Sequence, residues 1–228
     1  MKITFLGHAG LLVEGAGKKI AIDPFLSGNP MAAMEAKDLK VDAIVLTHGH
    51  SDHSSDAASI SLANNCPILA VVELASLLSP SGATTIGMNT GGTYVVDENI
   101  SVKLTQAFHS SSFEVDGVSH YAGQPQGVIV TMGDQTLYHM GDTALFSDIK
   151  LIGELHNIDI AAVPIGDHFT MGPREALIAA KWTDAKHIIP IHFNTFPPIR
   201  QNGEQFIQQL AAQDQLGHEL KPGEFVEI

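Results

Sequence analysis

One short segment constrains this chain more than any other, because it places three histidines and an aspartate within six residues. The segment is His48-Gly49-His50-Ser51-Asp52-His53, and it follows the apolar run at 43–46. Such a run predicts a buried strand that ends in a polar loop. Imidazole and carboxylate groups are the natural ligands of zinc and similar divalent ions. The segment therefore predicts a metal-binding loop, the alternative being an exposed polar loop in a histidine-rich protein.

Composition and charge narrow the class of protein. The chain has 228 residues, of which 44% are hydrophobic and 16% charged, so it is not intrinsically disordered. No apolar run approaches the length of about 18 residues that a membrane span needs. A net charge of -13 disfavours nucleic acid and anionic lipid surfaces as partners. The lone Cys66 fits a reducing compartment, so we predict a cytoplasmic protein, and the low charge content is compatible with a homo-oligomer.

Strand-like and helix-like segments occur in both halves of the chain. Short apolar runs bounded by Gly, Pro or Asp predict strands, and longer amphipathic runs predict helices. The predicted strands are 3–6, 11–14, 19–22, 43–46, 68–72, 93–96, 102–107, 128–132, 136–140, 160–164, 187–191 and 224–228. The predicted helices are 57–62, 73–78, 148–155, 173–182 and 204–210. This order fits two sheets that are covered on the outside by helices.

The spacing of the histidine segment resembles the signature of the metallo-β-lactamase-fold superfamily of metal-dependent hydrolases. The resemblance implies one α/β domain over residues 1–228, a four-layer αββα sandwich with a dinuclear metal site at one edge of its two sheets. It also implies three further ligands at strand ends. His109 follows the run at 102–107, Asp142 follows the run at 136–140, and His192 follows the run at 187–191.

The resemblance also assigns roles to these residues. One ion is expected on His48, His50 and His109, and a second on Asp52, His53 and His192, with Asp142 bridging the two. Asp23 matches an aspartate that supports the site in this fold, although an Asp before Pro24 is also a common turn residue. Four histidines, at 120, 139, 156 and 218, lack a partner pattern and are predicted to be surface or structural, and His187, which precedes an apolar run, is predicted to be structural.

Three stretches resemble one branch of the superfamily, the compact metal-dependent hydrolases catalogued as an uncharacterised protein family. They are Leu6-Gly7-His8-Ala9-Gly10, Ile22-Asp23-Pro24-Phe25-Leu26 and Gly166-Asp167-His168-Phe169-Thr170-Met171-Gly172-Pro173. The branch more often has glycine where this chain has Asp167. His8 and His168 are predicted to follow strands at the rim of the site, where either contacts substrate or supports a ligand. Thr170 is a third substrate-binding candidate, because backbone donors near the Pro173 helix suit an anionic group.

These residues predict metal-assisted hydrolysis of a small-molecule substrate. Two divalent ions are expected, zinc first, with manganese, iron and nickel also compatible with the donor set. Asp142 would bridge the ions and Asp52 would orient the attacking water, so both are candidate catalytic residues. The bond cleaved is an ester, a lactone or a phosphodiester. Two other classes stay open, a non-enzymatic metal- or ligand-binding protein and a scaffold that the metals stabilise.

Overall fold

The computed structural model describes residues 1–228 and contains two seven-stranded sheets, one two-stranded hairpin and six α-helices. The strands are β1 Lys2–Gly7, β2 Gly10–Gly15, β3 Lys18–Ile22, β4 Ala43–Val45, β5 Ile68–Val71, β6 Thr85–Met88, β7 Thr93–Asp97, β8 Ile100–Gln106, β9 Ser112–Val115, β10 Val118–Tyr121, β11 Gln126–Met132, β12 Gln135–His139, β13 Ile160–Pro164, β14 His187–Ile191, β15 Leu216–Gly217 and β16 Phe225–Glu227. The helices are α1 Ser51–Ser54, α2 Ala57–Asn64, α3 Val72–Leu78, α4 Asp148–Leu155, α5 Pro173–Thr183 and α6 Gly203–Ala211. None of them is long and apolar enough to cross a lipid bilayer.

Alternating side chains divide the strands between an inner and an outer apolar layer. In β2, Leu11 packs in the cluster between the two sheets and Leu12 packs in the cluster beneath the helices of the first half. In β13, Ile160 faces the same inner cluster and Ala161 faces the helices of the second half. Because successive side chains of a strand point to opposite faces, strands that are apolar throughout are buried on both sides. The result is the four-layer αββα sandwich that the resemblance implies.

The strand order brings several strand ends to one edge of the sandwich. The first sheet has the order β16-β1-β2-β3-β4-β5-β6, and the second has the order β15-β14-β13-β12-β11-β8-β7. Strands β3 to β6 are parallel to one another, and so are β12 to β15. β8 runs in the same direction as β12, because both are antiparallel to β11. The carboxyl ends of β8, β12, β13 and β14 therefore lie at a common edge.

The sequence missed five elements, which are β6, the two strands of the β9–β10 hairpin, the short strand β15 and helix α1. All of β10 is exposed, so the hairpin lacks the one-sided apolar pattern that predicts a strand. The edge strand β6 contains Gly87, a residue depleted in strands. Helix α1 is built from the polar segment Ser51–Ser54, which has no apolar periodicity. The free Cys66 is buried, as expected of a core thiol.

The inner apolar cluster should dominate the stability of the fold. Leu104 lies in this cluster and is fully buried, whereas Leu155 is 77% exposed. We expect Leu104→Ala to lower the free energy of unfolding by about 2–5 kcal/mol, because it removes buried methyl groups and leaves a cavity. The matched variant Leu155→Ala should change it by less than about 0.5 kcal/mol. Urea denaturation followed by circular dichroism measures both, and equal effects would contradict this account of the core.

Candidate metal centre

All of the predicted metal ligands lie just beyond strand ends at one edge of the sandwich. His48 and His50 follow β4, and Asp52 and His53 lie in α1 immediately afterwards. In the second sheet, His109 follows β8, Asp142 follows β12 and His192 directly follows β14. The two sheets thus contribute to the cluster from opposite sides of the core, and the structure brings all seven side chains together.

The carboxylate of Asp142 lies at the centre of this cluster. Its Oδ2 atom is close to the Nε2 atoms of four histidines, at 2.9 Å from His192, 3.4 Å from His53, 3.6 Å from His109 and 4.0 Å from His48. Burial by itself raises the pKa of Asp142, but His192 and His53 outweigh it and hold that pKa well below its ordinary value. Asp142 is therefore an ionised carboxylate that contacts both predicted groups of ligands.

The first group is His48, His50 and His109, whose donor atoms all lie within 4.8 Å of one another. The Nε2 atom of His48 is 2.9 Å from Nδ1 of His50. The Thr47 hydroxyl donates to Asp23 at 2.6 Å, so its oxygen accepts from Nδ1 of His48 at 3.0 Å. This leaves the lone pair of His48 Nε2 directed into the cluster. Burial, with the nearby His53 charge, lowers the pKa of His48 well below its ordinary value, which keeps the ring neutral.

The second group is Asp52, His53 and His192, with donor atoms that also lie within 4.8 Å of one another. A carboxylate only accepts hydrogen bonds, so His53 donates from Nδ1 to Asp23 Oδ2 at 2.8 Å. The opposite nitrogen, Nε2, therefore faces Asp142. Burial alone lowers the pKa of His53, but the carboxylates of Asp142 and Asp23 raise it well above its ordinary value. The two carboxylates thus favour positive charge at this ring, and either a proton on the imidazole or a metal ion bound to it supplies that charge.

Asp23 has the geometry of a supporting carboxylate, as the resemblance implies. Its side chain is fully buried and accepts hydrogen bonds from the His53 ring and from both the backbone N–H and the hydroxyl of Thr47. Partners of this kind fix the orientation and tautomer of metal-binding histidines. The sequence alone left a simple turn residue as an equal alternative, because Thr47 shows no pattern that would mark it as a partner.

Unpaired buried atoms indicate that the cluster is built for a cation. His53 Nε2 and Asp142 Oδ1 are buried and have no hydrogen-bond partner. A buried polar atom left unpaired costs about 1–3 kcal/mol, so two in one cluster call for a partner. Five imidazoles and two carboxylates suit zinc, and they also suit manganese, iron or nickel. The residues present therefore fit a divalent metal centre.

Gly49, between two of the histidines, allows a close approach that shapes the site. A Cβ atom at this position would lie 2.7 Å from the Ser112 carbonyl oxygen and 2.8 Å from the Ala122 side chain. The Gly49 N–H donates to the Ser111 hydroxyl at 3.2 Å, and that hydroxyl in turn donates to the Ala122 carbonyl oxygen at 3.4 Å. The base of the β9–β10 hairpin is thereby held against the metal-binding loop.

His139, treated above as surface or structural, is a buried structural residue. Its Nδ1 atom accepts from the Gly141 N–H at 3.1 Å, so Nε2 donates to the Ala9 carbonyl oxygen at 2.8 Å. This ring connects the β1–β2 turn of the first sheet to the turn that presents Asp142 from the second sheet. The sequence contained no signal for this role, because His139 ends a strand that reads as ordinary core.

The predicted substrate-binding residues His168 and Thr170 lie on the loop after β13. His168 is exposed and packs edge-on against Phe169, while Thr170 is half-buried. Asp167, which stands where the branch more often has glycine, has a φ of 70°, a left-handed conformation that glycine adopts freely and that Asp tolerates. Substrate binding by His168 and Thr170 stays a prediction.

Of the two roles that the sequence leaves open for His8, substrate contact and support of a ligand, the geometry favours the second. Its side chain is fully buried, with Nδ1 at 2.9 Å from the Thr195 hydroxyl and Nε2 at 3.1 Å from Asp52 Oδ2. Burial lowers the pKa of His8 to about 4 despite the hydrogen bond to Asp52, so the ring is neutral at pH 7. With both nitrogens paired and no exposed surface, His8 has no group free for substrate. A histidine in a Gly-rich turn gives no sequence signal of this burial.

The supporting role of Asp23 predicts the effect of removing its charge. Asp23→Asn replaces one accepting oxygen with an N–H₂ group that faces other donors, so His53 and Thr47 lose their fixed orientation. We expect zinc affinity, measured by competition with a fluorescent chelator, to fall about 10–100-fold. Asp134, an exposed turn residue, provides the matched control Asp134→Asn. Equal affinities in the two variants would contradict the supporting role.

Comparisons with known proteins identify the family to which this chain belongs. The profile of the Beta-lactamase superfamily domain matches residues 2–192. A UPF0173 metal-dependent hydrolase from Bacillus thuringiensis subsp. konkukian (strain 97-27) is 50% identical over 230 residues, which cover 100% of both chains. Another protein of that name, from Geobacillus thermodenitrificans (strain NG80-2), is 50% identical over 229 residues with the same coverage.

Solved structures extend the likeness to the whole architecture. Igni18, a metallo hydrolase from the archaeon Ignicoccus hospitalis KIN4/I, is 36% identical with a TM-score of 0.89 over 99% of this chain and 97% of its own. The isothiocyanate hydrolase from Delia radicum gut bacteria is 22% identical with a TM-score of 0.78 over 100% of this chain and 99% of its own, a likeness of fold alone. The resemblance drawn from the histidine segment is therefore confirmed, and the chain belongs to the UPF0173 family of metal-dependent hydrolases within the beta-lactamase superfamily.

Proposed function

We propose that the protein hydrolyses a small-molecule substrate with two divalent metal ions, zinc first, held by the clustered histidines and aspartates. The observation that carries the proposal is the position of Asp142 Oδ2, which lies within 4.0 Å of histidines from both predicted groups. His48, His50 and His109 would hold one ion, Asp52, His53 and His192 the second, and Asp142 would contact both. Divalent ions held there would lower the pKa of a bound water towards about 7 and would stabilise the oxyanion formed in hydrolysis.

The protein's own contribution includes a carboxylate that can orient water. The side chain of Asp52 is 30% exposed, whereas that of Asp142 is 3% exposed. Burial alone raises the pKa of Asp52, but the hydrogen bond from His8 and the charge of His53 together outweigh it and hold that pKa below its ordinary value. His8 engages Oδ2 of Asp52, and Oδ1 makes no hydrogen bond to the protein. Asp52 can therefore accept a hydrogen bond from a water molecule at Oδ1 while it remains ionised.

The open side of the cluster supports an uncharged substrate. A cleft of about 500 Å³ includes His50 and Asp52 among its lining residues and extends between α1 and the β9–β10 hairpin. Its lining contains several serines, Glu114 and a single apolar side chain, Phe113, but no Lys or Arg. A larger cavity of about 770 Å³, between segment 26–37 and α2, touches none of the proposed ligands. Because Glu114 adds negative charge beside the proposed ions and no Lys or Arg side chain offsets it, a neutral ester or lactone is favoured over a phosphodiester.

Metal removal tests the proposed function directly. The zinc-loaded chain should hydrolyse at least one member of a panel of chromogenic esters, lactones and phosphodiesters. Dialysis against a chelator should abolish turnover while the thermal unfolding transition persists, and added zinc should restore it. A scaffold that the metals stabilise would instead lose its unfolding transition with the metal. A non-enzymatic binding protein would bind zinc without turning over any substrate.

Two variants test the proposed ligands. His50→Ala removes one imidazole of the first group, and Asp142→Asn removes the shared negative charge. We expect each to lower kcat/KM at least about 100-fold, since a lost metal ligand impairs both nucleophile and oxyanion stabilisation. His218→Ala, a remote half-buried histidine, is the matched control and should retain activity. Full activity in both ligand variants would contradict the proposal.

The charge of the cleft predicts substrate preference. Glu114 lines the cleft, so Glu114→Lys should raise kcat/KM for an anionic phosphodiester relative to a neutral ester. We expect a shift of about 3–10-fold at low salt, because reversing one charge changes a near-surface interaction by about 1 kcal/mol. The shift should shrink at high ionic strength. Glu98→Lys, exposed and absent from the cleft lining, is the control. An unchanged preference in Glu114→Lys would mean that substrate binds elsewhere.

A further inference from the structure

His8 occupies a conformation that is unfavourable for its residue type. It lies in the turn between β1 and β2, where Gly7 has a φ of 107° and His8 a φ of 59°. A residue with a Cβ atom is strained in this left-handed region, whereas glycine is not. The pairing of β1 with β2 also shifts register between Phe5 and Gly7. Such strain persists only where the surrounding structure fixes the residue, and it is common at functional sites.

A directed chain of hydrogen bonds runs through the His8 ring. Because the Asp52 carboxylate only accepts, His8 donates to it from Nε2. In a neutral ring the other nitrogen, Nδ1, is then an acceptor, so the Thr195 hydroxyl donates to it. Phe25 and Phe196 pack edge-on against the same ring, at centroid distances of 6.0 and 5.5 Å. These two rings shield the hydrogen bonds of His8 from water on two sides. The direction of the hydrogen bonds follows from the Asp52 carboxylate, which can only accept.

His8 also contacts a second proposed ligand, His192. The backbone N–H of His192 donates to the His8 carbonyl oxygen at 2.8 Å. The two rings pack with centroids 4.1 Å apart. The Nδ1 atom of His192 has no hydrogen-bond partner, so no polar contact from that side orients the ring. Besides the contact of its Nε2 atom with Asp142, the His192 ring packs against His8 and stacks on His53 at 5.6 Å.

These contacts fall on one half of the proposed metal centre. His8 belongs to the donor group of Asp52, His53 and His192, and not to the group of His48, His50 and His109. A residue that merely stabilised the fold at this edge would affect both groups. A residue that positions Asp52 and His192 should affect binding of one ion and leave the other unchanged.

We propose that His8, supported by Thr195, is a positioning residue for Asp52 and His192 and so determines the affinity of the second ion. The proposal rests on the dinuclear centre proposed above. His8 fixes Oδ2 of Asp52 through its Nε2 proton, and it fixes the start of the loop 192–195 through its carbonyl oxygen and ring. Thr195 keeps Nδ1 of His8 occupied, so that the proton stays on the nitrogen that faces Asp52.

Zinc binding by designed variants tests this role without reference to turnover. His8→Phe retains an aromatic ring and the backbone contact but removes the donor, whereas His8→Gln retains an N–H group that can reach Asp52. Thr195→Val removes the hydroxyl at nearly constant volume, and Thr195→Ser retains it. Zinc affinity is measured by competition with a fluorescent chelator, with His218→Ala as a remote histidine control. Thermal unfolding of each variant establishes that it is folded.

Single-ion backgrounds identify which ion is affected. His50→Ala disrupts the first group and leaves the Asp52 group, whereas His53→Ala does the reverse. In the first background we expect His8→Phe to weaken zinc binding about 10–100-fold. Thr195→Val should weaken it about fivefold, the value of one hydrogen bond. His8→Gln and Thr195→Ser should restore most of the affinity. In the second background all four variants should bind zinc as their parent does.

Four results would overturn the inference. Unchanged zinc affinity in His8→Phe would mean that His8 does not position the ligands. Equal losses in both backgrounds would mean a general structural role. Loss in His8→Gln as severe as in His8→Phe, with one fewer nitrogen neighbour in the zinc X-ray absorption spectrum, would mean that His8 is itself a ligand. If the unmutated chain binds only one zinc ion, the dinuclear proposal fails, and this inference falls with it.

Discussion

The negative charge of Asp142 lies among four imidazole rings, and the rest of the site is arranged around it. A buried carboxylate at this position is tolerable only because cationic or donor groups surround it. In the metal-free chain, protonated histidine supplies that positive charge, since the pKa of His53 is raised by Asp142 and Asp23. A divalent ion would supply it more fully and would also pair Nε2 of His53 and Oδ1 of Asp142, which have no partner otherwise. The buried charge of Asp142 thus accounts both for the raised pKa of His53 and for the proposed binding of metal ions.

The two-sheet sandwich brings the proposed ligands together at one edge. Four of the seven proposed ligands follow β4 of the first sheet, and the other three follow β8, β12 and β14 of the second. The apolar layer between the sheets sets the separation of these strand ends, so packing in the core determines the geometry of the polar edge. Contacts that cross from one sheet to the other reinforce it. His139 joins the Ala9 carbonyl oxygen to the Asp142 turn, and His8 joins the end of β1 to Asp52 and to His192.

Much of the fold and of the site was predictable from the sequence, for identifiable reasons. Segments that are buried on one or both faces carry strong apolar patterns, so α4, β13 and β14 were predicted with the bounds they have in the structure. The β9–β10 hairpin was missed because exposure removes that pattern. The histidine segment identified its own family, and the family in turn pointed to His109, Asp142 and His192, which the structure brings together. Substrate contact by His8 was inferred from its place in the chain, and burial argues against it.

The sequence by itself determined the chemistry, since residue types and their local spacing decide which donors are available and which strands they follow. It also determined the layering, because the order of apolar and polar residues along each strand indicates which faces of the sheet must be buried. Only the tertiary structure decided which nitrogen of each histidine faces the centre, because tautomer and ring orientation depend on partners such as Asp23 and Thr195 that lie far away along the chain. Local sequence contains no record of a hydrogen bond between residues 187 positions apart, such as the one that joins His8 to Thr195. That bond exists because two sheets close on a shared apolar layer and bring their loops together at one edge.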